Sequence, residues 1–256
     1  MSMRGYVDTR WGQLHYSSTG SGSPEIVLLH ETPLNHTAFE RIIPLLDGQF
    51  RVVAFDTPGY GESDGPEQPT TAEEYAKTFA EGIEALGLGR IVLYGVHTGA
   101  TFAVQLAAAT IPERVAGVAL SGVPFYTDEV RAARRVREIP PITEDGSHLT
   151  DTFKWEPAAY DPLMRSRLVA GVSLDPVTGY QAFHAVYGYE SAKVLGQISC
   201  PVLLLSHPLD PLYEFDNRFA AAVPGARQVI VKSDRLPVYW TNPETVADEL
   251  AALAGS

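Results

Sequence analysis

The chain has 256 residues, 45% of them hydrophobic and 20% charged, which suits one large α/β domain or a domain carrying an insertion. Its formal net charge of −12 argues against nucleic acid and anionic membrane surfaces as partners. The single cysteine, Cys200, excludes an intrachain disulfide, and no apolar run reaches membrane-spanning length.

Tyr6–Thr9 and Gln13–Tyr16 flank a short polar turn and predict a hairpin, followed by a loop over Thr19–Pro24. Met1–Tyr6 carries no apolar leader core, so a cytoplasmic protein is the expectation. Glu25–Leu29 is a continuous apolar run, as in a parallel strand covered on both faces. It ends in His30-Glu31-Thr32-Pro33. A helix is expected around Ala38–Leu46, then a strand over Arg51–Phe55 and a turn-rich loop, Asp56–Asp64. Thr71–Leu86 has helical period, with Thr71 placed as N-cap and Glu74 three residues on.

Arg90–Tyr94 reads as a buried strand and Ala100–Ala109 as a buried helix. Between them stands Gly95-Val96-His97-Thr98-Gly99. This is the strand–turn–helix setting of a nucleophile elbow, with histidine where serine is expected. Val115–Leu120 is another buried strand. From Pro124 to Gln197 the alternation stops. That stretch is rich in arginine early (Arg131, Arg134, Arg135, Arg137) and then in aromatics (Phe153, Trp155, Tyr160, Tyr180, Phe183, Tyr187, Tyr189), and it predicts a mainly helical insert. The arginine cluster reads most simply as a solvated helix face. Alternation resumes with Pro201–Leu205, a helix ending near Val223, a strand over Gln228–Val231 and a last helix starting near Pro243. Cys200, just before the Pro201 strand, reads as a small core residue. Strands alternating with helices imply βαβ units and a mostly parallel sheet.

In these motifs the chain resembles the α/β-hydrolase fold family, and the resemblance covers nearly the whole chain. His30-Glu31-Thr32-Pro33 is similar to the family's His-Gly-x-Pro oxyanion loop. Asp56-Thr57-Pro58-Gly59-Tyr60-Gly61-Glu62-Ser63 is similar to its Asp-x-Pro/Arg-Gly-x-Gly-x-Ser loop. Gly95–Gly99 stands at the elbow, and Ser206–Pro211 matches the segment that carries the triad acid, placing Asp210 there. The resemblance implies a roughly eight-stranded, mostly parallel sheet with helices on both faces. It also implies a helical cap, residues 124–197, inserted after the sixth strand of a core formed by residues 1–123 and 198–256.

The departures bear on chemistry. His97 replaces the serine, and Glu31 replaces the loop's first glycine. The loop before the last helix, Lys232–Trp240, holds no histidine; Arg235 or Leu236 takes that position. Asp210 is thus expected to lack the imidazole it would orient, and serine-type acyl transfer is not expected. Gly95 and Gly99 still permit the turn, and histidine tolerates left-handed backbone. The Thr98 N–H is expected at a helix N-terminus, with Thr32 beside it as oxyanion or pocket residues, and the helix dipole favours a neutral His97. Glu31 is either an acid or base or a surface carboxylate. His30 is expected to orient its loop, and His36 to be exposed or to neighbour a helix cap. His148, Trp155, His184, Tyr187, Tyr239 and Trp240 are candidates for substrate contact. The scattered histidines suggest no metal site, and the absence of a glycine-rich loop after the first strand gives no sign of NAD, so no cofactor is expected.

The resulting expectation is a cofactor-free, non-hydrolytic enzyme acting by proton transfer and oxyanion stabilisation on a bulky, carbonyl-bearing small molecule. By family resemblance this means C–C bond formation, cyclisation or lyase chemistry in natural-product biosynthesis. A hydrolase using activated water is the alternative, and a non-catalytic ligand-binding protein the second alternative. The expected partner is a small-molecule substrate, with neither nucleic acid nor membrane, for a monomer or homodimer.

Overall fold

In the computed structural model, residues 3–135, 142–155, 159–174 and 181–255 are described. Strands β1 (Met3–Thr9) and β2 (Gly12–Thr19) form the expected hairpin, paired antiparallel with Thr9 opposite Gly12. Strand β3 (Glu25–Leu29) leads to a short 3-10 turn, His36–Phe39, and then to α1 (Ile43–Leu46). The single helix expected over Ala38–Leu46 is therefore two pieces. Pro44 has no N–H to continue a helix begun before it and sits in the first turn of α1, where none is needed. Strand β4 (Val52–Phe55) and helix α2 (Ala72–Ala85) follow, and the Thr71 hydroxyl accepts from the Glu74 N–H at 3.4 Å as the capping pattern predicts.

Strand β5 (Ile91–Val96) turns at His97 into α3 (Thr98–Gln105), which ends in a π-helical turn over Leu106–Thr110. Strand β6 is Val115–Ser121. The segment between β6 and the next strand contains α4 (Asp128–Arg135), α5 (Ser147–Trp155), α6 (Pro162–Leu174) and α7 (Gln181–Gly188). Among its described residues it has no strand, only an isolated bridge at Tyr160. Strand β7 (Val202–Ser206), α8 (Tyr213–Ala222), β8 (Arg227–Ile230), α9 (Val238–Thr241) and α10 (Pro243–Ala254) complete the chain.

The eight strands form one sheet in the order β1-β2-β4-β3-β5-β6-β7-β8, parallel from β4 to β8, with β1 and β2 antiparallel at one edge. Alternation along β3 shows how it is covered. Val27 and Leu29 face a core shared with Phe79 of α2 and Phe102 of α3, while Ile26 and Leu28 face a core with Leu250 of α10. Both faces are buried, which is why the strands read as continuous apolar runs. Cys200 is half-buried, and burial pushes its thiol up, in keeping with a packing residue. No helix among the described residues is long and apolar enough to cross a membrane.

Candidate active site

The site forms where four parallel strands end. β3 runs into His30–Pro33, β5 into His97, β6 into Gly122 and β7 into His207–Pro211, so loops distant in sequence meet beyond the carboxyl edge of the sheet. His97 has φ 47° and ψ −110° and is the one non-glycine residue with positive φ among the described residues. The expected left-handed helical conformation is not what occurs, because ψ lies far from that region. Such backbone costs about 1–3 kcal/mol and persists where its surroundings hold it. Here the His97 N–H donates to Ser121 O at 2.9 Å, and the Ala100 N–H donates to His97 O at 3.0 Å. Gly99 is required at the turn, since a Cβ there would run into the Leu29 and His30 carbonyls.

The His97 ring lies between two carboxylates. Nε2 bonds to Asp210 Oδ2 at 2.9 Å, and Nδ1 is 3.2 Å from Glu31 Oε2. The expectation that Asp210 lacks an imidazole is thereby corrected. The longer side chain at the elbow spans the gap that a separate histidine would fill. Room for the ring comes from Gly122, at φ +60°, where any Cβ would overlap His97 Cδ2 and Nε2. Burial pushes the Asp210 carboxyl up. The His97 charge and hydrogen bond, together with the Leu212 N–H donated at 2.8 Å, outweigh it and hold the group below its ordinary range. Nε2 thus carries a proton toward Asp210, and Nδ1, which faces Glu31, is the ring nitrogen left to exchange one. The helix dipole, which alone favours the neutral ring, is opposed by the nearer Asp210 charge.

Glu31 is buried, so the surface-carboxylate alternative is overturned. Its Oε1 accepts from the Tyr160 and Tyr239 hydroxyls, the latter at 2.6 Å. Burial first, then the Glu31 charge, raises the Tyr239 phenol well above its ordinary value and keeps it a donor. Tyr160 is brought there by a backbone bridge: the Leu236 N–H donates to Ala159 O at 2.9 Å, and the Asp161 N–H donates to Leu236 O at 2.8 Å. Leu236 is buried in this bridge and Arg235 is exposed. The segment expected to hold a catalytic histidine therefore positions a phenol instead. Sequence reasoning missed Tyr160 because nothing local ties it to residue 236.

Thr32 and Thr98, the expected oxyanion or pocket residues, are engaged with each other. Thr98 begins α3, where helix geometry leaves its N–H without an intrahelical acceptor. The Thr32 N–H, however, donates to Thr98 Oγ1 at 2.8 Å, and the two hydroxyls are 2.8 Å apart. The His30 ring ties its own loop to the Asp56–Asp64 loop. Its Nε2 accepts from the Thr57 N–H at 2.8 Å, so Nδ1 carries the proton and donates to Glu31 O at 3.0 Å; burial lowers its pKa accordingly. His207 is likewise structural, accepting from the Leu209 N–H and donating to Ser233 O. His36 neighbours the Asn35 cap of its 3-10 turn, the second of its two expected settings, and is buried there because the Asp56 carboxylate collects its ring and amide along with the His15 ring. Folding thus gathers His15, His36 and Asp56, scattered in sequence, to within 4.8 Å, where both rings serve as hydrogen-bond partners of one carboxylate.

Beside His97 and Thr98 opens a cavity of about 230 Å³, walled by Tyr126, Phe183, Val186, Tyr187 and Leu212 and bordered by Arg134. Of the expected substrate contacts, Tyr187 lines it. Tyr239 and Trp240 do not. Tyr239 is fully buried on Glu31, and Trp240 is packed in the core beneath the Arg41 guanidinium, 3.8 Å from its ring. His148 bonds to Thr143, and His184 is half-buried on α7; neither lines this cavity. The side chain of Trp155, along with Arg137 and Tyr180, lies outside the described residues.

Residues 24–156 match the family model described as alpha/beta hydrolase fold. The chain belongs to the α/β-hydrolase fold family. Among curated members of this family it is 32% identical over 141 residues to haloalkane dehalogenase 2 of Mycobacterium tuberculosis, covering 54% of this chain and 49% of that protein. It is 27% identical over 220 residues to a haloalkane dehalogenase of Agrobacterium fabrum, covering 76% of this chain and 72% of that one. Thus the match spans about half the length of the mycobacterial relative. Among solved structures of α/β-hydrolase fold, a bromoperoxidase from Bacillus anthracis superposes with TM-score 0.83 at 17% identity, over 99% of this chain and 100% of the other. An enol-lactonase from Burkholderia xenovorans does so at 20% identity and the same TM-score, over 98% and 100%. These likenesses establish the fold. A third curated relative is named bifunctional epoxide hydrolase 2, from Mus musculus, at 35% identity over 145 residues, 53% of this chain and 25% of that protein.

Proposed function

We propose that this α/β-hydrolase-fold chain is an enzyme that hydrolyses a small molecule with activated water rather than through a serine acyl-enzyme. The observation that carries the reading is the 2.9 Å contact of His97 Nε2 with Asp210 Oδ2. An imidazole held by an ionised carboxylate is the base-and-orienter pair of triad chemistry, here delivered from the elbow itself. Asp210 fixes the ring. Glu31, facing Nδ1, forms with His97 a single acid–base unit that takes the water's proton as oxygen attacks the electrophilic carbon and returns it to the leaving group. Thr98, at the start of α3, lies where negative charge develops on the substrate.

The hydrolytic names of the relatives favour this reading over the non-hydrolytic natural-product chemistry expected from the sequence, which the comparisons do not support. In this reading the helical segment 124–197 acts as a lid, since it supplies Tyr126, Arg134, Phe183 and Tyr187 around the cavity and Tyr160 on Glu31. The test is a panel of small esters, lactones, epoxides and haloalkanes, run beside a fluorophosphonate probe. Turnover of at least one class without serine labelling is expected. Labelling of a serine near the elbow, or no turnover across the panel, overturns the reading.

A further inference from the structure

We propose that the cavity beside His97 recognises a small aromatic carboxylate, with Arg134 as the anchor for the anion. This deepens the proposed function by naming its substrate class, and it rests on that reading for taking the cavity as the substrate pocket. The cavity is lined by His97, Thr98, Pro124, aromatic and aliphatic side chains, and Arg134, with no acidic residue among the described lining residues. In a chain of net charge −12, Arg134 places a positive charge at the mouth of the candidate site.

The Arg134 guanidinium is held in position by aromatic rings. Its central carbon stands 4.7 Å from the Tyr126 ring centroid and 5.8 Å from that of Tyr187, and one N–H donates to the Tyr126 hydroxyl at 3.3 Å. It pairs with no carboxylate among the described residues, whereas Arg131, one helical turn earlier on α4, is ion-paired with Asp128 and Glu190. A guanidinium carries five donors in a planar fork matched to a carboxylate, and most of that fork meets no acceptor among the described residues. The neighbouring walls are flat: Phe183 and Tyr187 stack at 24° with centroids 6.0 Å apart, and Tyr126 lies 6.1 Å from Tyr187. A planar ring lies against such walls more readily than a branched chain does. The cavity, about 230 Å³, is smaller than the sites of roughly 300–1,000 Å³ that take drug-sized ligands, so one ring with its substituent is the fitting size.

Calorimetric titration of the full chain with benzoate and with its neutral isostere benzamide tests this. Wild type is expected to bind benzoate about tenfold more tightly than benzamide, the size expected for a charge-assisted contact. Arg134→Gln should abolish the preference while leaving benzamide affinity unchanged, Arg134→Lys should keep part of it, and His97→Ala should keep it whole. Equal affinities in wild type, no saturable binding of either compound, or a preference that survives Arg134→Gln or disappears with His97→Ala overturns the proposal. The readout needs no turnover. An anion preference in a protein that hydrolyses nothing overturns the function and leaves the anchor standing, while turnover without the preference does the reverse.

Discussion

His97 Nε2 and Asp210 Oδ2 lie 2.9 Å apart although 113 positions separate the two residues. The contact gives the elbow residue the partner that the family's separate triad histidine would otherwise have. If His97 moves protons, its removal should cost rate far more than binding. We expect His97→Ala to lower kcat at least about a hundredfold, with affinity changed less than about tenfold, and His97→Gln to keep shape without rate. Steady-state kinetics with a turned-over panel substrate checks this; unchanged turnover in His97→Ala would place catalysis elsewhere.

Gly122 gives His97 its space. Gly122→Ala introduces a Cβ against the ring and forces a side chain into φ +60°, which disfavours residues other than glycine. The expected result is a loss of activity comparable to that of His97→Ala, with a stability cost of about 1–3 kcal/mol. Denaturant unfolding and kinetics together are the check. Full activity in a stably folded Gly122→Ala would mean that the ring does not need its observed place.

Glu31 is held by two phenols. Tyr239→Phe leaves its buried carboxylate one donor short, and removing one partner from a buried hydrogen-bonded charge costs about 1–3 kcal/mol. Tyr160→Phe should cost a similar amount, and the double variant less than the sum because both hydroxyls meet the same oxygen. A double-mutant cycle by thermal unfolding measures the coupling. Strict additivity would show that the two phenols act independently.

Asp216 on α8 accepts the Val123 N–H at 2.6 Å and the Gly122 N–H at 3.3 Å, and so braces the loop beneath His97. Burial, the largest effect, pushes its carboxyl up to about 7. The raised folded value means that this group's contribution to stability is present below the unfolded value near 4 and is lost as pH rises toward about 7. Asp216→Asn should therefore gain stability relative to wild type between about pH 4 and pH 7. A difference independent of pH over that interval would contradict the assignment.

Asp56 acts in the opposite sense. Burial opposes its ionisation, but the His15 and His36 hydrogen bonds outweigh it and lower its value strongly. Its contribution is present above the unfolded value near 4 and is lost as pH falls below it. Asp56→Asn should thus flatten the acid side of the unfolding profile, and an unchanged acid limb would count against it.

Much of the fold was legible in the chain because its signals are local. Buried parallel strands are continuous apolar runs, Thr71 and Glu74 cap α2 through neighbouring atoms, and the glycines around His97 announce a turn whatever residue stands between them. Pro44 shows where local reading fell short: a helical pattern broke in two at one missing N–H. The elbow, Glu31 and Asp210 could be named from motif positions. What they touch could not, because an imidazole's partners depend on where separate strand ends converge. The motif leaves Asp210 without an imidazole, and only the fold shows the elbow side chain reaching it. The chain alone does not separate a surface from a site position for Glu31; the Tyr160 and Tyr239 hydroxyls, far along the chain, bury it. Trp240, a plausible pocket wall by composition, is core. Sequence alone determined the order of elements and the residue types available for chemistry. Only the tertiary structure decided which of them meet, since contacts between residues 31, 97, 160 and 210 are set by the packing of helices on both faces of one sheet and by no pattern along the chain.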